Sequence, residues 1–203
     1  NGTYPNFHEG RSGWKSSMYC NKESDGIYKN PFYSNGFDFS YYMAMQDYEK
    51  VDFVIIQLGI NDIRTMTLEN YSARKVLSNF EKMISGIRAY DEELPIIIGV
   101  TIPPSENIEK FNITLNISSE FEYRNNIIHF ASDLMSSFNN YENIWFSPIN
   151  CVIDSETQFE DAIHPTSEGY KAIATQYVNT INGIVNKKIK VTAPDITKTK
   201  ISN

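Results

Sequence analysis

Cysteine is nearly absent: Cys20 and Cys151 are the two thiols in 203 residues. So sparse a set excludes a disulfide framework and a thiolate cluster, and both read as free thiols, one buried and one semi-exposed. Histidine is almost as sparse, with three residues and no clustered partners, so neither a metal nor any other cofactor is expected. No apolar run approaches the roughly 20 residues that a bilayer-spanning helix needs, and no membrane partner is expected. Positive charge is also short, 18 Lys and Arg against 25 Asp and Glu, for a net charge of −7. That balance argues against nucleic acid or an anionic membrane surface as partner, because both reward clustered cations. It leaves a neutral small molecule open. The tripeptide Gly-Asp-Ser does not occur in the chain either.

What is present suffices for one core: 41% of the residues are hydrophobic and 21% charged. Residues 51–58, Val-Asp-Phe-Val-Ile-Ile-Gln-Leu, form a nearly unbroken β-branched and apolar run. Such a run predicts a strand buried on both faces of a parallel sheet. Val76, Leu77, Phe80, Met83, Ile84 and Ile87 then recur at helical spacing. Pro95 opens a second buried strand at 96–100, ended by Pro103-Pro104. A second helical stripe runs through Ile127, Ile128, Ala131, Leu134, Met135 and Phe138, and a short strand follows near 143–146. The last helix begins at Thr166 or Ser167 and carries Tyr170, Ile173, Ala174, Tyr177, Ile181 and Ile184. Three strand–helix alternations predict an α/β fold, a three-layer α/β/α sandwich on a parallel sheet. Residues 14–48 lack a period but are crowded with aromatics, which predicts a packed functional loop with one short helix near 39–45. Residues 1–185 read as one domain and 186–203 as a tail or linker.

Three short strings carry chemistry. In Asp161-Ala162-Ile163-His164 the spacing lets one turn fold the carboxylate back onto the imidazole, so that one ring nitrogen is held and the other is left to take a proton. Gly59-Ile60-Asn61-Asp62 follows the carboxyl end of a buried strand, the edge where open α/β sheets bind ligands. Asn61 there offers a neutral amide donor suited to an oxyanion, while Asp62 is expected to cap the next segment. In Glu9-Gly10-Arg11-Ser12-Gly13-Trp14 a glycine can turn its backbone N–H into a site that substrate approaches closely. Taken singly, each string could be an ordinary turn. Their coincidence at successive element boundaries points to one constellation.

Together the strings resemble three of the four motif blocks of the SGNH (GDSL-type) hydrolases, over about residues 9–185. Asn30-Pro31-Phe32 with Phe37-Asp38-Phe39 is similar to an insertion in many bacterial and phage-encoded members. The resemblance implies a flavodoxin-like parallel sheet and a serine esterase. It assigns His164 as general base, Asp161 as its orienting partner, and Asn61 with Gly13 as the oxyanion hole. The missing block is the Gly-Asp-Ser that carries the family's nucleophile on the first strand. That serine is therefore expected upstream of Asn1, as a separate piece or a preceding segment. Ser12 does not replace it, since Trp14 stands where Gly-x-Ser-x-Gly needs glycine and no strand leads into Gly10.

The expected substrate is a small-molecule or carbohydrate ester, most simply an acetylated sugar. Trp14 is a candidate for lining the sugar-binding cleft. A carbohydrate-binding module that has lost the serine, and a lipase or thioesterase, are the rival readings. Of the remaining histidines, His129 reads as a partly buried structural residue and His8 as turn packing beside the glycine string.

Overall fold

The computed structural model describes residues 8–22, 29–113 and 119–186. A parallel sheet of order β1-β2-β3 forms the middle layer, with β1 at Val54–Ile56, β2 at Ile96–Gly99 and β3 at Ile144–Ser147. Its register aligns Val54 with Ile96 and Ile96 with Ile144. β2 is buried along its whole length, as an Ile-Ile-Ile-Gly segment covered on both faces must be.

Side-chain alternation divides the core in two. Ile96 and Ile98 face a cluster built by α1 (Ser16–Cys20), α2 (Phe39–Met45), α4 (Arg74–Tyr90) and α6 (Glu120–Phe138). Ile97 faces Ile173 and Tyr177 of α7 (Ser167–Val185) on the other side. Two short helices complete the chain order: α3 (Ile60–Ile63) soon after β1, and α5 (Glu109–Ile113) after β2. The fold is the expected three-layer α/β/α sandwich.

Several elements differ from the sequence reading. The strand expected over 51–58 is three residues long, and Ile55 within it is 43% exposed. β1 pairs with β2 alone among the described residues, so one edge and part of one face stay open. α6 begins at Glu120, earlier than its apolar stripe suggested. Ser119 accepts the Glu122 N–H at its N-terminus and donates to the Glu122 carboxylate, an N-terminal cap that Ser-x-x-Glu spells out. The buried face of α6 is Tyr123, Asn126, Ile127, Phe130, Leu134 and Phe138, whereas Ile128 points to solvent. On α7, Tyr170 and Val178 are likewise exposed. The short helices α1, α3 and α5 are too brief to leave a period in the sequence.

The aromatic first segment is packed rather than loose. Phe32 stacks on Tyr42 at 4.1 Å and on Phe37 at 5.1 Å between ring centroids, and α2 lies where the sequence placed a helix. The buried Asn30 amide donates to the carbonyls of Tyr19 and Asn21, and its oxygen accepts the Phe32 N–H. Cys20 is buried and Cys151 exposed, both free. Burial pushes the Cys20 thiol up to about 11, so it stays protonated. The stretch read as a tail lies outside the described residues beyond Asn186. No helix among the described residues is long and apolar enough to cross a membrane.

Candidate active site

Two of the three chemical strings follow the carboxyl end of a strand. After β3 the chain turns back on itself, and a bridge between Phe159 and Pro165 with a Glu160 N–H to His164 carbonyl bond (2.8 Å) closes the loop. Inside it, Asp161 Oδ1 accepts the N–H groups of Ile163 and His164, each at 2.8 Å. Asp161 Oδ2 lies 2.7 Å from His164 Nδ1. An ionised carboxylate can only accept, so Nδ1 donates, and in the neutral form of the ring Nε2 is then the nitrogen with the lone pair. Burial raises the Asp161 pKa, but the bonds from the His164 ring and the two backbone N–H groups outweigh it and hold the carboxyl below its ordinary 3.8.

Outside anchors keep this loop in place. The Ala162 carbonyl accepts the Ser105 N–H at 2.9 Å, and the Phe159 carbonyl accepts Lys110 Nζ at 2.6 Å. Arg124 of α6 spans the Glu120 carboxylate and the Ser105 carbonyl, both at 2.6 Å. The imidazole itself remains exposed.

Gly59 makes the exit from β1 possible. It sits at φ +118°, and a Cβ there would run into the Phe130 ring of α6. The turn hands the chain to α3, which presents Asn61. The Asn61 Nδ2 donates to the Trp14 carbonyl at 3.1 Å, which orients the amide and leaves its second hydrogen unused in that bond. Trp14 follows Gly13, itself at φ +75° and exposed, so the Asn61 bond falls one residue beyond Gly13, which does not itself line the groove that holds His164 and Asn61. Asp62 does not act as the local cap expected of it. Its carboxylate reaches back to Ser16, accepting the backbone N–H (3.1 and 3.0 Å) and the hydroxyl (2.7 Å).

His164, Asn61 and Trp14 line one groove of about 670 Å³. The groove follows the chain from Val51 through β1 to Ile60 and continues between Thr101, Ile102, Tyr170 and Tyr177. Its deeper wall is aromatic and apolar, including Phe32, Phe39, Tyr42, Met83 and Ile87. Trp14 is 3% exposed, its ring edge-on to Tyr19 at 4.9 Å, so it contributes to the wall from below the surface. His8, Glu9 and Gly10 border the same groove.

Ser12 is exposed in the Arg11–Trp14 turn. His129 is exposed rather than partly buried, its ring 5.7 Å from that of Tyr71. The sequence reading passed over two features. The Thr101 hydroxyl is buried in the groove wall with no hydrogen-bond partner among the described residues. Its signal was the position just past the end of β2, on the ligand-binding edge. The Ser16–Asp62 contact had no signal, because its partners are far apart in sequence.

No curated protein sequence matches the chain. Among solved structures it is similar to an acetyl esterase mutant with acetate ion, at 17% identity over 89% of this chain and 72% of that one, with a TM-score of 0.56. A carbohydrate esterase family 3 protein from Talaromyces cellulolyticus aligns with the same identity, coverage and TM-score. A putative platelet activating factor from Streptococcus pneumonia aligns at 20% identity over 70% and 67% of the two chains, with a TM-score of 0.51. These likenesses concern the fold. The profile of the GDSL-like lipase/acylhydrolase family matches residues 3–172, most of the 203, and with the three strings in that family's order the chain belongs to this family.

Proposed function

We propose that the protein is a serine esterase that removes a short acyl group, acetyl in the simplest case, from a carbohydrate. Acyl-ester hydrolysis is the coarse function its family membership carries. The finer reading rests on one observation: His164 and Asn61 line the same groove at the carboxyl end of β1. An acetyl esterase and a carbohydrate esterase among the similar folds support the choice of substrate.

The nucleophile in this reading is a serine on a segment upstream of these residues, seated alongside the open edge of β1. The groove that tracks the chain from Val51 through β1 to Ile60, walled by apolar side chains, supports that seat. His164 Nε2 takes the serine proton as Oγ attacks the acyl carbon, and Asp161 steadies the imidazolium that forms. The negative charge developing on the acyl oxygen is met by the Asn61 amide and the Gly13 N–H. Collapse of the tetrahedral intermediate expels the sugar alkoxide, which leaves with the proton held by His164. A water molecule, deprotonated by the same nitrogen, then releases the carboxylic acid and restores the serine. Trp14 closes the wall behind the reacting centre, and the exposed Tyr170 offers a ring to the sugar.

In the intact protein, His164→Ala abolishes hydrolysis of p-nitrophenyl acetate while leaving the near-UV circular dichroism unchanged. Activity retained by that variant removes the assignment, and a protein that binds acetylated oligosaccharide without cleaving it establishes a binding module instead.

A further inference from the structure

The first two helical residues after Ile60 hold the glycine loop at two points. Asn61 donates to the Trp14 carbonyl, and Asp62 receives the Ser16 N–H on both carboxylate oxygens. Ser16 is fully buried, and its hydroxyl is itself fixed from both sides, donating to Asp62 at 2.7 Å and accepting from Asn79 Nδ2 of α4 at 3.0 Å. We propose that Asp62 is a positioning residue for the oxyanion hole, clamping Ser16 so that the Gly13 N–H and the Asn61 amide keep a set separation. This rests on the oxyanion-hole reading above.

The clamp follows from geometry. The buried Trp14 ring and the Asn61 bond hold the loop at residue 14, and neither fixes the backbone at residue 16. The Asp62 bond two residues further on does so, and the two oxygens meeting one N–H restrict rotation as well. Gly13 at φ +75° directly precedes this double anchor, so its position depends on where residues 14–16 are held. A turn cap would need no such reach, since the Asp62 bonds extend 46 residues back in the sequence. Nor would it need a carboxylate in a half-buried place, where burial works against the charge. The Ser16–Asn79 bond ties the clamp to α4, a long element of the core, rather than to another loop.

The test uses the intact protein, with p-nitrophenyl acetate kinetics measured well below each variant's melting temperature. Asp62→Ala lowers kcat by about 10- to 100-fold with KM unchanged, the size expected when reacting groups are misplaced by about 1 Å. Asp62→Asn, which can still accept the Ser16 N–H, recovers part of that loss, and Ser16→Ala falls between. In an Asn61→Ala background the Asp62→Ala loss shrinks, because the Gly13 N–H it holds no longer has a second donor from which to keep a set separation. With Trp145→Phe, and any tryptophan outside these 203 residues also replaced by Phe, acrylamide quenches Trp14 more strongly in Asp62→Ala than in its parent. If Asn61→Ala lowers kcat while Asp62→Ala does not, or if the two losses simply add, or if Trp14 quenching is unchanged, the clamp is overturned on its own. If Asn61→Ala leaves kcat intact, the oxyanion reading falls and takes the clamp with it.

Discussion

At the scale of single residues, Asp161 carries an unusual share of the site. One carboxylate oxygen shapes the turn through two backbone N–H groups while the other holds the imidazole. The three-residue spacing makes this legible in the sequence, because a carboxylate can reach three residues ahead within one turn. Its lowered pKa carries a sign that can be tested. The carboxylate binds protons more weakly in the fold than in the unfolded chain, so its stabilising contribution is complete above the ordinary 3.8. That contribution fades as pH falls through 3.8 toward the lower folded value. Asp161→Asn therefore melts below the parent at neutral pH, and the gap between the two melting temperatures closes on acidification past that range. A gap of constant size from neutral to acid pH contradicts the ionised pairing.

At the scale of elements, the strand-to-helix turn after β1 is constrained twice over. Gly59 combines a positive φ with the Phe130 ring where a side chain would begin. Gly13 has a positive φ too, but open space around it. Gly59→Ala is accordingly expected to destabilise the protein by about 2 kcal/mol or more, through strain plus displacement of a core ring. Gly13→Ala should lose only about 1 kcal/mol, the backbone part alone. Urea denaturation of the two variants compares them directly, and equal losses would show that Phe130 yields freely. The elements also show where periodicity reading fails. Ile128 belonged to an apparent stripe but faces solvent, because the true face is completed by Tyr123 and Asn126, residues a hydrophobic pattern does not count. The Asn126 amide donates to the Met66 carbonyl at 2.7 Å, which satisfies one end of this buried polar residue, while its oxygen has no hydrogen-bond partner among the described residues.

At the scale of the whole molecule, the sheet is asymmetric. β2 is enclosed, β3 is covered by α7 through the buried Ser147–Thr180 hydroxyl pair at 2.9 Å, and β1 lies open along the groove. Ile55 reports on what meets that edge. With the 43% exposure described, Ile55→Lys would change stability by no more than about 0.5 kcal/mol, as surface substitutions do. With a strand seated beside β1 in the intact protein, the same change places an unpaired charge against apolar neighbours. It then destabilises by about 2 kcal/mol or more, and esterase activity falls with it. Chemical denaturation of the intact protein distinguishes the two, and the small value contradicts the proposed seat.

Local sequence carries the three strands and the longer helices, the fully buried β2, the start of the last helix and the Asp161–His164 turn. All of these depend on contacts within a few residues, where spacing and turn chemistry are decisive. Packing of the distant segments sets the rest: Asn61 against Trp14, Asp62 on Ser16 rather than on its own helix, and Trp14 inside the wall. Those contacts join segments more than forty residues apart. Nothing local encodes such partners; they follow from which faces the sheet and helices must bury against one another.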